Sequence, residues 1–548
     1  MAGESETGAR ATPTGLLLGE TVLVALVFAA AAAWPTPDVN EAVYLTKARH
    51  AANPAWAAGD FFLDTPDAHG VFYLLSGTFA AALPLDQAAW VGRIAGWLAL
   101  AVGFIWAIAP VVATTWGRLA AAAIFSLALR HTTMAGEWVL GGCEAKVFAW
   151  AFVLGGVGEW LRGRFATAWL LCGAATAWHP IVGGWSLVAL GMAWAMQPTS
   201  LAWPGAAILL GAGMALAAAG VGPALSLTAG ADPAVRAAAA KIYVVERLHH
   251  HLLLRTFSEA FIARHVLAVL GWWLVSRALV PTPARARLTA FTLGALAISL
   301  AGVVVSLAEP LAPAIVLGLL RFYWFRLADV VVPLALAAAT AGLLEDVAAC
   351  RRTLGISPAV VRIAAGLLLL LDVAAQSAHW PRGMGASVAC RADAKVDAAG
   401  WADVCTWIRD NVPPDACFLT PRGSASFTWR TDRREVVSWK NSPQDAQSLV
   451  EWRARIVDCF SPGGKLADME RSTAALGPER VRLAAERYGA DHMIVPLDTP
   501  RLAEMPGERI HANGAYAVYR LAPRGATVPV ASPMREPTAP RAPDPPER

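Results

Sequence analysis

The stretch LLLGETVLVALVFAAAAAWPTPDVNEAVYLTKARHAANPAWAAGDFFLDTPDAHG, residues 16–70, joins a membrane-length apolar run to an acidic, aromatic loop. The run from Leu16 to Trp34 approaches the roughly 20 residues that cross a hydrocarbon core. It is long for a signal-peptide core and reads as an uncleaved anchor, although Ala29 to Ala33 offers small residues for cleavage. Behind it, Asp38, Glu41, Asp60, Asp64 and Asp67 stand beside a bilayer. Ionisable groups there are costly unless they are paired, solvated or used.

Hydrophobic residues make up 56% of the 548 and charged residues only 16%, with a mean hydropathy of +0.47. This excludes a single water-soluble domain and predicts a multi-span α-helical membrane protein. Eleven spans are expected, at 16–34, 92–110, 118–130, 146–160, 165–178, 183–197, 204–222, 264–280, 288–307, 327–344 and 360–378. Basic residues collect around Arg118, at LRGR (161–164), at RALVPTPARAR (277–287) and at Cys350 to Arg352. Short cytoplasmic loops carry such residues. Placing these four inside leaves residues 1–15 in the cytoplasm, makes about 35–91 the first outer loop and puts the C-terminus outside. Val71 to Leu83, at about 13 residues, is too short to cross and is expected to lie in the interface.

Beyond about His379 no membrane-length run appears. Residues 379–522 read as a soluble α/β extracytoplasmic domain. WADVCTWIRDNVP and SPQDAQSLVEWRARIVDCF are expected helices, the second opened by Ser442 and Pro443. ACFLTP, REVVSW, DHMIVPL and YAVYRL are expected strands. The Pro-rich tail 523–548 reads as disordered. Cys390, Cys405, Cys417 and Cys459 all fall in this domain, where two disulfides in three pairings are possible; buried free thiols are the alternative. A net charge of +4, spread over many loops, argues for no nucleic acid partner.

With this topology the unusual polar residues fall on one side. The second outer loop, HTTMAGEWVLGGCEAK (131–146), holds Glu137, Glu144 and Lys146; WHPIVGGW holds His179; RFYWFRLAD (321–329) holds Arg321 and Arg326. Such convergence from separate loops favours a functional cavity. Asp38 and Glu41, three apart at a helix start, face one side if helical; one carboxylate suits a general base, and the pair also suits a capping box. Asp60, between Trp56 and Phe61, joins Asp38 and Glu41 as a candidate for a reaction centre, on an interfacial segment or in a solvated loop. Glu144 and Lys146 suit ion pairs with other loops, and His179 before Pro180 suits a helix end. The arginine pair with aromatics between suits either a lipid-phosphate clamp or an interface girdle. The three consecutive histidines 249–251 point apart on a helix and are a poor metal set. A divalent cation is compatible with these residues, but nothing in the sequence indicates one.

The segments PDVNEAVYL, WVGRIAGWLAL with Arg93, and the acidic second outer loop resemble the GT-C superfamily of membrane glycosyltransferases, such as protein O-mannosyltransferases and the aminoarabinose transferase of lipid A. The resemblance covers Leu16 to Val182 best. WADVCTWIRDNVPPDACFLTP is similar to domains appended to bacterial members. It implies a bacterial inner-membrane enzyme that takes sugar from a polyprenyl-phosphate donor and passes it to a glycan, lipid or protein acceptor. By that resemblance Asp38 or Glu41 is the base, or a metal partner, and Arg321 or Arg326 holds the carrier phosphate. A transporter or flippase, or a non-catalytic envelope scaffold, uses the same features differently.

Overall fold

The computed structural model describes residues 14–349, 358–381 and 388–521. Residues 1–13, the basic turn at Cys350 to Arg352 and the Pro-rich tail from 523 lie outside the described residues. The protein is mostly helical, with a small sheet domain at its C-terminal end. Each segment expected as a span forms a helix: Thr14–Ala32, Leu85–Ile108, Thr115–His131, Ala145–Leu161, Phe165–Trp178, Pro180–Met196, Gly205–Ser226, Glu259–Ala278, Pro283–Leu307, Arg326–Ala349 and Pro358–Gln376. Among the described residues, five helices are long and apolar enough to cross a membrane: Leu85–Ile108, Gly205–Ser226, Glu259–Ala278, Pro283–Leu307 and Arg326–Asp346. The expected interfacial segment is the helix Gly70–Ala82.

Helix starts follow local chemistry. Pro180 and Pro283 sit in first turns, where a missing N–H costs nothing. The Thr114 and Thr282 side chains accept from the amides of Gly117 and Arg285. Helices 165–178 and 205–226 approach through glycine: a Cβ on Gly173 would lie 2.2 Å from the Gly213 carbonyl oxygen. Small residues allow such close backbones where dispersion rather than water drives packing. Ile208, Met214, Leu267, Leu274 and Leu300 point outward from the long helices, a continuous apolar exposure that a protein surrounded by water rarely keeps. Glu20, the one acid in the first apolar run, is buried in a bidentate ion pair with Arg118.

The terminal domain carries five strands: β1 Cys417–Leu419, β2 Arg434–Glu435, β3 His492–Pro496, β4 Glu508–Ala512 and β5 Tyr516–Arg520. Their order is β2-β1-β3-β5-β4, with β1 parallel to β2 and β3, and β5 antiparallel to β3 and β4. Alternation along each strand builds two cores. Leu419, Met493, Val495 and Ala517 face the helix Ala446–Phe460, while Phe418, Ile494 and Val518 face the helix Ala398–Asn411. The first of these helices is capped by Asp445, which accepts from Ser448 N at 2.9 Å, rather than opened by Ser442 and Pro443. REVVSW stays extended in the sheet only through Glu435, and β4 had no counterpart in the sequence reading.

The expected disulfides are corrected by this arrangement: Cys390, Cys405, Cys417 and Cys459 are free, buried thiols. Cys405 lies in the core on one face of the sheet and Cys417 and Cys459 in the core on the other. The Cys390 thiol donates a hydrogen bond to Asp393 Oδ2 at 3.1 Å.

Candidate functional site

The terminal domain packs on the loops at 35–84 and 242–247, so domain and first loop share one face of the molecule. Trp56 donates to Asp432 at 3.0 Å, Trp429 to Asp86 at 3.3 Å, and Arg453 pairs with Glu246 at 2.7 Å. This packing decides the fate of the loop carboxylates.

The helix after the first span begins at Glu41, two residues later than a cap at Asp38 requires. One capping-box bond survives, from Asp38 N to Glu41 Oε2 at 2.7 Å. The two carboxylates then diverge, contrary to the expectation of a shared face. Glu41 is fully buried against Arg93, whose Nε and Nη2 donate to Oε1 and Oε2 at 2.7 and 2.5 Å. The Cys143 amide adds a third bond at 2.7 Å, and Arg93 Nη1 donates to the Trp34 carbonyl. With every lone pair engaged, Glu41 ties the first loop, the second long helix and the second loop together.

Asp38 is equally buried but reaches the terminal domain. Arg391 donates from Nε and Nη2 to its Oδ1 and Oδ2 at 2.6 and 2.7 Å, and Val39 N donates at 2.6 Å. Burial raises its pKa, but the Arg391 contacts and the nearby Arg93 charge outweigh that and hold it below the usual carboxylate range. While Arg391 is in place, Asp38 is ionised and weakly basic.

Behind Asp38 lies a polar centre built from several interhelical loops. Asn40 donates to Glu144 at 3.0 Å, and Lys146 lies 3.5 Å from both Glu144 and Glu137 and 3.5 Å over the Trp138 ring. Arg326 pairs with Glu137 at 2.8 Å and lies 3.9 Å from the Tyr323 ring centre. Tyr323 adopts a left-handed φ of 54°, strained for a side chain of its size, and its hydroxyl meets that of Tyr243 at 3.0 Å. Asp329 accepts from the amides of Met134, Ala135 and Glu137 and so fixes the second loop. Burial, then the charges of Glu144 and Asp67, push the Tyr44 phenol well above its usual pKa. Burial, then His69, Arg326 and Lys146, push His179 well below the usual imidazole range, so its ring is neutral. His179 also joins two helices, accepting from Val182 N at 3.4 Å.

Glu144, Lys146, His179 and Arg326 are thus brought together, with Asp38 at their edge. Arg321 and Asp60 are not. Arg321 follows the helix Pro313–Leu320 and approaches Phe322, while Arg326 turns inward to Glu137. The expected two-arginine clamp does not form, because the left-handed turn at Tyr323 sends the two side chains apart. Asp60 is neither solvated nor interfacial: it accepts from the amides of Phe62, Leu63 and Glu435, each at 3.0 Å, and anchors the domain. Its neighbour Glu435 accepts from Thr420 and Asn441, and burial together with the Asp60 charge pushes its pKa up to about 8. A carboxyl that keeps its proton in the folded state stabilises fully below its unfolded pKa and loses that contribution as pH rises through the folded value. The melting temperature of the purified protein is therefore expected to fall between about pH 4.5 and pH 8. Glu435→Gln should flatten that slope; an unchanged slope in the variant rejects the assignment.

Beyond Asp38 and Arg391 a cavity of about 1150 Å³ opens between the first loop, the turn at 247–250 and the terminal domain. Arg247, Arg391, Lys395, Arg422, Lys440 and Arg471 line it, against Asp397 and Asp498. Asp397 caps a helix by accepting from Gly400 N, and Asp498 pairs with Arg471 at 3.1 Å. Among the described residues no three of His, Cys, Asp and Glu are grouped to hold a metal ion. The sequence reading missed Tyr44, Tyr243, Arg391 and Lys440. Tyr44 had a local signal, one helical turn after Glu41; Arg391 meets the first loop across 353 positions of sequence and Lys440 meets Arg247 across 193, and neither had one.

A family model described as a domain of unknown function (DUF6798) matches residues 399–459. That segment supplies β1, β2 and the Asp445-capped helix, together with Arg422 and Lys440 of the cavity. No curated protein matches the chain.

Proposed function

We propose that this protein is a GT-C-type glycosyltransferase of a bacterial inner membrane, crossing it eleven times with the terminal domain outside. The observation that carries the reading is the assembly, from five separate loops, of Tyr44, Glu137, Glu144, Lys146, His179, Tyr243, Tyr323 and Arg326 behind a buried Asp38. Ionisable groups brought together at this cost at the ends of apolar helices mark a site of chemistry. The docking of the terminal domain on the first loop supports placing both on the outer side.

In this reading a polyprenyl-phosphate sugar enters from the bilayer with its phosphate toward Arg326, the first residue of a long apolar helix, where a cation at the positive end of the helix dipole favours an anion. An acceptor hydroxyl attacks the anomeric carbon, the bond to the carrier oxygen breaks, and the carrier phosphate leaves with the electron pair. Asp38 takes the hydroxyl proton. Arg391 keeps it weakly basic until the guanidinium is drawn to the phosphate, which links base strength to donor binding. Envelope glycans and glycoproteins from cells with and without the protein, compared by mass spectrometry, test the function. Loss of one sugar modification, restored by the wild-type chain, is expected. Identical glycans, with no transfer from polyprenyl-phosphate sugars in vitro, would reject it.

A further inference from the structure

The outer cavity holds more positive charge than its neighbours neutralise. Of its six basic side chains, Arg391 pairs with Asp38 and Arg471 with Asp498. Arg247, Lys395, Arg422 and Lys440 have no carboxylate within ion-pair distance among the described residues. Arg247 is 9% exposed, and its recorded bonds go only to the carbonyls of Trp439 and Lys440, at 3.1 and 3.4 Å. Its guanidinium also lies 5.4 Å from the Trp439 ring centre, but a buried guanidinium with only carbonyl and ring partners has no counterion, which proteins rarely keep without use. Beside it the buried Nδ1 of His249 has no hydrogen-bond partner among the described residues.

We propose that this cavity is a binding site for a phosphate-bearing ligand, the acceptor of the transfer reaction. Its role as acceptor site rests on the transferase reading; its anion chemistry does not. None of the five long apolar helices contributes to its wall, so the ligand held there is the water-facing substrate rather than the lipid tail of the donor. Arg247, Lys395 and Arg422, joined by Lys440 when it is protonated, outnumber the one unpaired wall carboxylate, Asp397, and call for more than one negative charge, which one carboxylate cannot supply and a phosphate or diphosphate can. The wall also touches Val39 and Arg391, placing a bound acceptor next to Asp38, the proposed base.

Lys440 adds a signature. Burial, then the Arg247 charge, lower its pKa to about 7, with Lys146 and Lys395 adding to the lowering and Glu144 opposing it. Of the histidines flanking that turn, His250 is held down to about 4 by burial and then by the His249, Arg247 and Lys440 charges, so it stays neutral near pH 7. An anion in the cavity favours the protonated lysine, so binding takes up a proton and weakens as pH rises through about 7.

The full-length protein in phosphatidylcholine nanodiscs, titrated calorimetrically with inorganic pyrophosphate, tests the site. Binding is expected, weakened at least about tenfold by Arg247→Gln and by Lys440→Gln, since bonds to charged groups are worth more than neutral ones. Arg482→Gln, paired with Glu479 on the far helix Pro478–Tyr488, should change nothing. The ratio of wild-type to Lys440→Gln affinity should fall as pH rises through about 7. If Arg247→Gln misfolds, Lys395→Gln, which is exposed, takes its place. Absence of pyrophosphate binding, or binding indifferent to the variants, would overturn the proposal. Abolition of binding in phosphatidylglycerol nanodiscs would assign the cavity to a lipid headgroup and overturn the acceptor reading. Specific pyrophosphate binding by a protein that transfers no sugar would refute the transferase and leave the anion site standing.

Discussion

An Asp38→Asn protein is expected to fold normally and to lose at least about 100-fold in sugar transfer, the lower end of what a general base contributes. The fold should tolerate the change because the amide oxygen still accepts from Val39 N. Arg391, whose side chain is 32% exposed, can return to water, and partly exposed ion pairs contribute little to stability. The loss should fall on kcat more than on KM, since the proton is transferred only in the transition state. Asp64→Asn is the control: that carboxylate is about half exposed and bonds only to His50, at 2.9 Å. Purified variants, compared for melting temperature and for initial transfer rate, separate the two effects. Near-normal transfer by Asp38→Asn would remove it as the base and leave Glu144 as the next carboxylate in the polar centre.

Glu41→Gln is expected to act in the opposite way, on stability before catalysis. Arg93 and Glu41 are both wholly enclosed, and neutralising Glu41 leaves the Arg93 charge buried without its bidentate partner, with only the more distant Asp38 charge to offset it. Breaking such a pair costs about 3 to 5 kcal/mol. The variant should express poorly or melt well below the wild type. Glu41→Gln combined with Arg93→Met, which removes the stranded charge and keeps much of the volume, should recover part of the loss, because a matched apolar replacement of a buried pair is often neutral. A Glu41→Gln protein with wild-type melting behaviour and no transfer would instead make Glu41 the base.

The sequence by itself determined the helical segments and the place of the terminal domain. Each expected span became a helix because apolar composition acts locally: a run such as Leu288 to Leu307 has no other way to satisfy its backbone away from water. It also led to the expectation that Glu144, Lys146, His179 and Arg326 share one side, since the basic clusters mark the loops between them. What each carboxylate does was decided only by tertiary structure. Asp38 and Glu41 have the same charge and stand three residues apart. One ended against Arg93, 52 positions on, and the other against Arg391, 353 positions away. Asp60 was legible as a polar loop residue, yet became a buried anchor because the amide of Glu435 arrives from the other end of the chain. The role of a carboxylate is set by the partner that satisfies it in a low-dielectric environment, and that partner is chosen by packing of distant segments rather than by neighbours in sequence.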